Sequence, residues 1–183
     1  MSRLVRTLLP VLMVAGVCAP GVRAGDLAGE AIRLCEGAEQ VDAETRDRML
    51  ARGVQLAQAA VTADDGNARA HFALFCTQAR QVEAAGLSFG TMLTVRRLHG
   101  VVDRALELDP NYVDALVAKA GMLRRLPRFF GGDRDEARRC LERALALDPG
   151  HPVARRYAIA EGVPVDPSVV LAGQAERDEP GWK

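Results

Sequence analysis

Aromatic residues are scarce in this chain: five Phe, two Tyr and one Trp make up 4% of 183 residues. Strands enrich in aromatic and β-branched side chains, so a chain this poor in rings and dominated by Ala and Leu points to closely packed helices rather than a sheet. An excess of charge is lacking too. The 24 basic and 24 acidic residues offer nothing to nucleic acid and no strong attraction to a membrane surface. Metal-binding spacing is also missing. His71, His99 and His151 form no pattern such as H-E-x-x-H, and the cysteines match no zinc arrangement. Each His is expected to be packed or solvated, and no cofactor is implied.

Only one long apolar run occurs, TLLPVLMVAGVCA, of about 13 residues, and a bilayer needs roughly 20. The run follows the basic start MSRLVR and precedes PGVRA, with Val22 and Ala24 at the minus-three and minus-one positions. Residues 1–24 therefore read as a secretory signal cleaved after Ala24, which places the mature chain in the periplasm or outside the cell. Cys18 offers a lipid anchor, and with it membrane association, but Val17 before it fits a lipoprotein cleavage site poorly. Cleavage removes Arg3, Arg6 and Arg23 from the 24 basic residues, leaving 21 against 24 acidic ones, a net charge of −3.

The mature chain keeps Cys35, Cys76 and Cys140. An oxidising compartment permits a disulfide. Cys35–Cys76 is the preferred pair, since Cys35 falls on a short first helix antiparallel to the next, which packs on the helix carrying Cys76. Three buried thiols are the alternative.

Self-comparison is more informative than composition. The segments AVTADDGNARA from Ala60, ALELDPNYVDA from Ala105 and ALALDPGHPVA from Ala144 align without gaps, at separations of 45 and 39 residues. Each reads as a helix end, a tight turn and the start of the next helix. Asp-Pro-Asn and Asp-Pro-Gly stop the first helix and cap the second. The small Ala at the aligned position implies close approach of neighbouring helices. Helices are expected at 27–39, 42–63, 67–85, 91–108, 112–126, 133–147 and 151–161. Residues 25–161 form one domain, and the tail at 162–183, with three prolines and two glycines after Gly162, has little regular structure.

These positions resemble the tetratricopeptide repeat. Its second helix carries small, large, small and proline positions, matched by Ala137, Leu141, Ala144 and Pro149, by Leu98, Val102, Ala105 and Pro110, and most loosely by Gly53, Ala57, Ala60 and Asp65. The family period is about 34 residues, so insertions of about 11 and 5 fall at GLSFGTMLTVR and LPRFFGG. The resemblance covers roughly residues 42–161. It implies an all-α fold of antiparallel helix pairs stacked as a short right-handed solenoid. The combination LPRFFGGD…EARRCLERALALDP behind a signal peptide also resembles the periplasmic T-component of tripartite TRAP-type transporters.

Two motifs tempt a chemical reading. LPRFFGGD lacks the preceding strand, the Lys and the Ser or Thr of a phosphate loop. Gly131 and Gly132 are instead expected to reverse the chain, Asp133 to cap the next helix, and Phe129 and Phe130 to fold back on the neighbouring unit. GLSFG at 86–90 matches a G-x-S-x-G nucleophile elbow, with Asp103 or Asp109 and then His151 in hydrolase order, but no strand-rich frame surrounds Ser88. Gly86 reads as a helix stop and Gly90 as a helix start. No catalytic site is visible.

The repeat resemblance places Arg69, Phe72, Ala79 and Arg80, then Asp114, Val117, Gly121, Arg124 and Arg125, then Arg156, on a concave face. Arginines on one groove would suit carboxylates, and an ordinary solvated face paired with nearby acids is the alternative. Lys119 stands where the repeat usually has a large apolar residue, so it either snorkels outward or serves a partner. The leading expectation is an exported, non-enzymatic scaffold that binds a protein or peptide through Arg69, Phe72, Arg80, Lys119, Arg124, Arg125, Phe129 and Phe130. The alternative is an accessory protein of periplasmic solute uptake beside a solute-binding protein, with an apolar pocket lined by Phe129, Phe130, Met92 and Met122.

Overall fold

The computed structural model describes residues 23–86 and 88–165. Residues 1–22, where a secretory signal and Cys18 were expected to act, and nearly all of the C-terminal tail lie outside the described residues. The elements are α1 (Ala24–Gly37), a 3-10 turn (Ala38–Gln40), α2 (Ala43–Ala63), α3 (Ala68–Ala85), α4 (Phe89–Leu108), α5 (Val113–Arg125), a second 3-10 turn (Arg128–Phe130), α6 (Arg134–Leu147) and α7 (Pro152–Glu161). No strand occurs among the described residues. The fold is all-α, as expected, and the helix bounds fall within three residues of those read from the sequence.

The internal repeat has a common physical basis. Asp64, Asp109 and Asp148 each end a helix, with their backbone N–H bonded to the carbonyls of Ala60, Ala105 and Ala144. Each aspartate carboxylate then accepts from a backbone N–H two residues on: Gly66 at 3.1 Å, Asn111 at 3.0 Å and Gly150 at 3.0 Å. This is the local turn that Asp favours over continuing a helix. The three aligned alanines are fully buried, so a β-carbon is all the space that adjacent helices leave there.

Helix starts are fixed by side chains that satisfy the free N–H groups of the first turn. Asp42 caps α2, Asn67 caps α3, Asp133 caps α6, and His151 caps α7 ahead of Pro152. At α4 the start lies at Phe89, not at 91. Ser88 and Thr91 form a reciprocal capping box, so the hydroxyl of Ser88 rather than the freedom of Gly90 begins this helix. Gly86 does end the insertion's first side, with φ 76°.

α1 packs on α2 and α3, α2 on α3, α3 on α4, α5 on α6 and α6 on α7, whereas α4 meets α5 more sparsely. The buried side chains fall into two groups. The first runs from Ala28 in α1 to Ala115 in α5 and holds Phe72 and Phe75. The second runs from Leu116 to Ala154 and is built on Leu123, Leu141 and Ala144. Cys35 of α1 and Cys76 of α3 are joined by a disulfide, with α-carbons 6.1 Å apart and a sequence separation of 41. Cys140 is buried and free.

Candidate functional site

α3 and α5 run parallel and approach each other less closely than α3 and α4 do. Bulky groups hold them apart at both ends. Near their N-termini the ring of Phe72 packs at a tilt against Tyr112, with centroids 4.9 Å apart. Burial, then the nearby Asp114 charge, push the Tyr112 phenol up to about 12. Near their C-termini Arg125 pairs with Glu83, about 17 Å further along α3 at a 1.5 Å rise per residue. Between the bridges lies a cavity of about 390 Å³, the size of an ordinary small-molecule site.

The cavity wall is mostly apolar. α3 contributes Phe75, Cys76, Ala79 and Val82, α4 contributes Val95 and Leu98, and α5 contributes Val117, Ala118, Gly121 and Met122. α7 closes it with Val153 and Tyr157. Tyr157 can sit there because position 121 is glycine: a Cβ on Gly121 would lie 3.0 Å from the Tyr157 ring. Its hydroxyl accepts a hydrogen bond from Arg125 Nη2 at 2.6 Å, and the Arg124 guanidinium lies 4.8 Å from its ring centre.

Most charges at the cavity's edge are matched within the protein, and Glu36, which also lines it, makes no ion pair among the described residues. Arg80 pairs with Glu39 and, at 3.3 Å, with Glu83, and Glu83 also receives Arg125. At the other end His151 Nδ1 accepts from the Ala154 N–H at 3.2 Å. Nε2 therefore carries the ring proton of a neutral His151 and faces Asp114 Oδ1, also at 3.2 Å.

The residues expected on one concave face do not all meet. Phe72, Arg80 and Arg125 line the cavity. Arg124 turns to α7, where its Nε donates to Glu161 at 2.9 Å. Arg69 lies against α1, close to Gly29. Lys119 faces away and joins three helices, with Nζ 2.8 Å from Asp103 Oδ1 and also paired with Glu136. Burial draws the Lys119 ammonium down, but the hydrogen bonds and charges of Asp103 and Glu136 outweigh that and raise it. Lys119 is thus an internal tie and does not snorkel outward.

Phe129 and Phe130 belong to a different recess, of about 540 Å³, with Met92, Arg96, His99, Leu123 and Glu136. Met122 lines the cavity instead, so the four-residue pocket read from the sequence is divided. Phe129 does not fold back, being 77% exposed. The glycines before Asp133 are turn residues: Gly131 has φ 89°, and a Cβ on Gly132 would lie 1.8 Å from the Leu126 carbonyl oxygen. Among the described residues Ser88 makes its side-chain hydrogen bonds to Thr91, while Asp103 and His151 are engaged elsewhere, so these three residues do not come together as a hydrolytic triad.

Fold and cavity together define a protein of stacked helical hairpins with an apolar chamber at the seam between its two cores. The family model for the TRAP transporter T-component matches residues 10–167, and the chain belongs to that family. No curated protein matches it. No helix of the described residues is long and apolar enough to cross a membrane.

Proposed function

We propose that this protein is a non-enzymatic accessory of a TRAP-type solute-uptake system, working in the periplasm beside a solute-binding protein, and that the chamber between α3 and α5 takes up an apolar solute or the apolar part of one. Membership of the T-component family supports the accessory role. The observation that carries the chamber's role is its lining of Val, Leu, Phe and Met, with Arg80, Glu83 and Arg125 paired among themselves and Asp114 bonded to His151 at its edge. Such a surface favours an occupant that brings little charge, since a buried ion without a partner is costly.

A peptide lying along the concave face, as in the tetratricopeptide repeat, ranks second. Arg80 and Arg125 do face the chamber, but an acidic peptide would have to displace Glu39 and Glu83 from them.

The test is binding of an uncharged fluorescent naphthalene probe to the purified mature chain. Ala118, half-buried in the chamber wall, is changed to Phe to fill it. Probe binding should fall at least tenfold while the helical circular dichroism is retained. Equal binding by parent and variant would sink the reading.

A further inference from the structure

The recess at the second 3-10 turn shares no lining residue with the chamber. Phe129 is the most exposed large apolar side chain among the described residues, and Leu93, beside Met92, is 58% exposed. Phe129 packs at a tilt against Phe130 with ring centres 4.4 Å apart. The turn that displays them is firmly built. Phe130 N–H and Gly132 N–H both bond to the Pro127 carbonyl, at 2.9 and 3.1 Å, and the glycines press the chain onto His99 and Leu126. An exposed aromatic pair on a rigid turn is preorganised for docking, so little ordering entropy is lost when a partner arrives.

Unpaired cations outnumber unpaired acids around this recess. Its acids are engaged: Asp133 accepts from the N–H groups of Asp135 and Glu136, and Glu136 pairs with Lys119. Its cations are not. Arg96, Arg97 and Arg128 are exposed and make no ion pair among the described residues, unlike Arg80, Arg104, Arg124 and Arg125. Met92 and Arg96 share one face of α4, and Leu93 and Arg97 the next, at four-residue spacing. The apolar centre therefore has free guanidinium groups at its rim, the composition from which interface hot spots are made.

We propose that this face is a protein-docking surface, separate from the chamber, for a folded partner that presents an apolar side chain within a ring of carboxylates. A protein fits better than an anionic bilayer. The recess is concave and wants a protruding side chain, which a layer of lipid headgroups does not supply. The choice of partner rests on the reading above, in which a solute-binding protein is the neighbour.

The test uses the purified mature chain and the purified solute-binding protein of the same uptake system, with affinity read by calorimetry at low and raised salt. Phe129→Ser should weaken binding at least tenfold, and Arg96→Glu with Arg128→Glu should weaken it and flatten its salt dependence. Both variants replace exposed side chains, so their thermal unfolding should match the parent. Ala118→Phe should bind the partner normally, which separates this surface from the chamber. Parent-like affinity of Phe129→Ser overturns the proposal and leaves the chamber's role standing. A parent that does not bind the solute-binding protein also overturns it, while probe uptake by the chamber judges the other reading independently. Self-association of the parent, or sedimentation with phosphatidylglycerol vesicles, that Phe129→Ser abolishes would assign the face to a second copy or to a membrane and overturn it as well.

Discussion

The two cores are built with the same Asp-centred turn, yet α1 meets α3 closely and α3 meets α5 only sparsely. At the first contact small residues face each other: Ala28, Ala31, Ala70 and Ala73 are all fully buried, and Cys35–Cys76 bonds the two helices. At the second, small residues are also present in Ala79, Ala118 and Gly121. Here the Phe72–Tyr112 ring contact and the Glu83–Arg125 pair act as spacers at either end. Close packing thus depends on what stands at the ends of the helices as much as on small residues between them, and the chamber is the space the spacers keep open. The first core is a covalently tied base, and α5 to α7 form a second body joined to it across a seam bridged by the Phe72–Tyr112 contact and the Glu83–Arg125 pair.

Removing the tie should have the largest effect. Replacing Cys35 and Cys76 together by Ser opens a loop with a sequence separation of 41, for which chain entropy predicts a loss of about 3–4 kcal/mol. Urea unfolding of the oxidised parent and the double variant measures it. A loss below about 1 kcal/mol would show that packing alone holds the first core and would remove the contrast. Next in size is Ala144→Leu in the second core. Ala144 is fully buried, and overpacking there should cost about 1–3 kcal/mol. An unchanged unfolding midpoint would mean that α6 can shift, and that the second core is looser than its packing indicates.

Much of this fold was legible because it is local chemistry. Asp64, Asp109 and Asp148 mark the turns, Asp133 marks the start of α6, and fully buried alanines repeat at the aligned positions. The start of α4 was misplaced by two residues because the glycines drew attention away from the Ser88–Thr91 capping box. The chamber was not legible. It depends on the separation of α3 and α5, which is set by contacts between residues 40 or so apart, such as Phe72–Tyr112 and Glu83–Arg125. Tyr157 was missed as a wall residue. The available signal was a lone ring in α7 combined with a glycine, Gly121, in the middle of α5.

The seam gives a smaller effect on stability and a larger one on motion. Arg125 is exposed, so Arg125→Ala should change global stability by no more than about 0.5 kcal/mol. It removes the bonds from α5 to Glu83 and to the Tyr157 hydroxyl together. Amide hydrogen exchange in residues 152–161 should therefore accelerate, while α1 to α3 keep the parent's protection. Equal acceleration in both halves would mean that they open as one unit.

The smallest effect compares the halves under acid, since each contains one aspartate cap that titrates. Asp42 at the start of α2 is held below the ordinary 3.8 chiefly by the Thr45 N–H. Asp133 at the start of α6 is held below it chiefly by the Glu136 N–H, with Asp135 N–H adding to this. A depressed folded value means that each carboxylate's contribution is fully present above about pH 3.8 and is lost as pH falls through the folded value. Both groups are exposed, so each contribution is modest, and it shows where least else holds the helix. α2 packs against α1 and α3, which the disulfide ties together, whereas α6 has no covalent tie of this kind. On acidification below pH 4, exchange protection should therefore fall first in the opening turn of α6. Asp133→Asn keeps a capping oxygen but cannot titrate, so it should flatten that loss, and Asp42→Asn should change the acid profile less. If the two Asn variants alter the profile equally, the disulfide does not protect the first half against local opening.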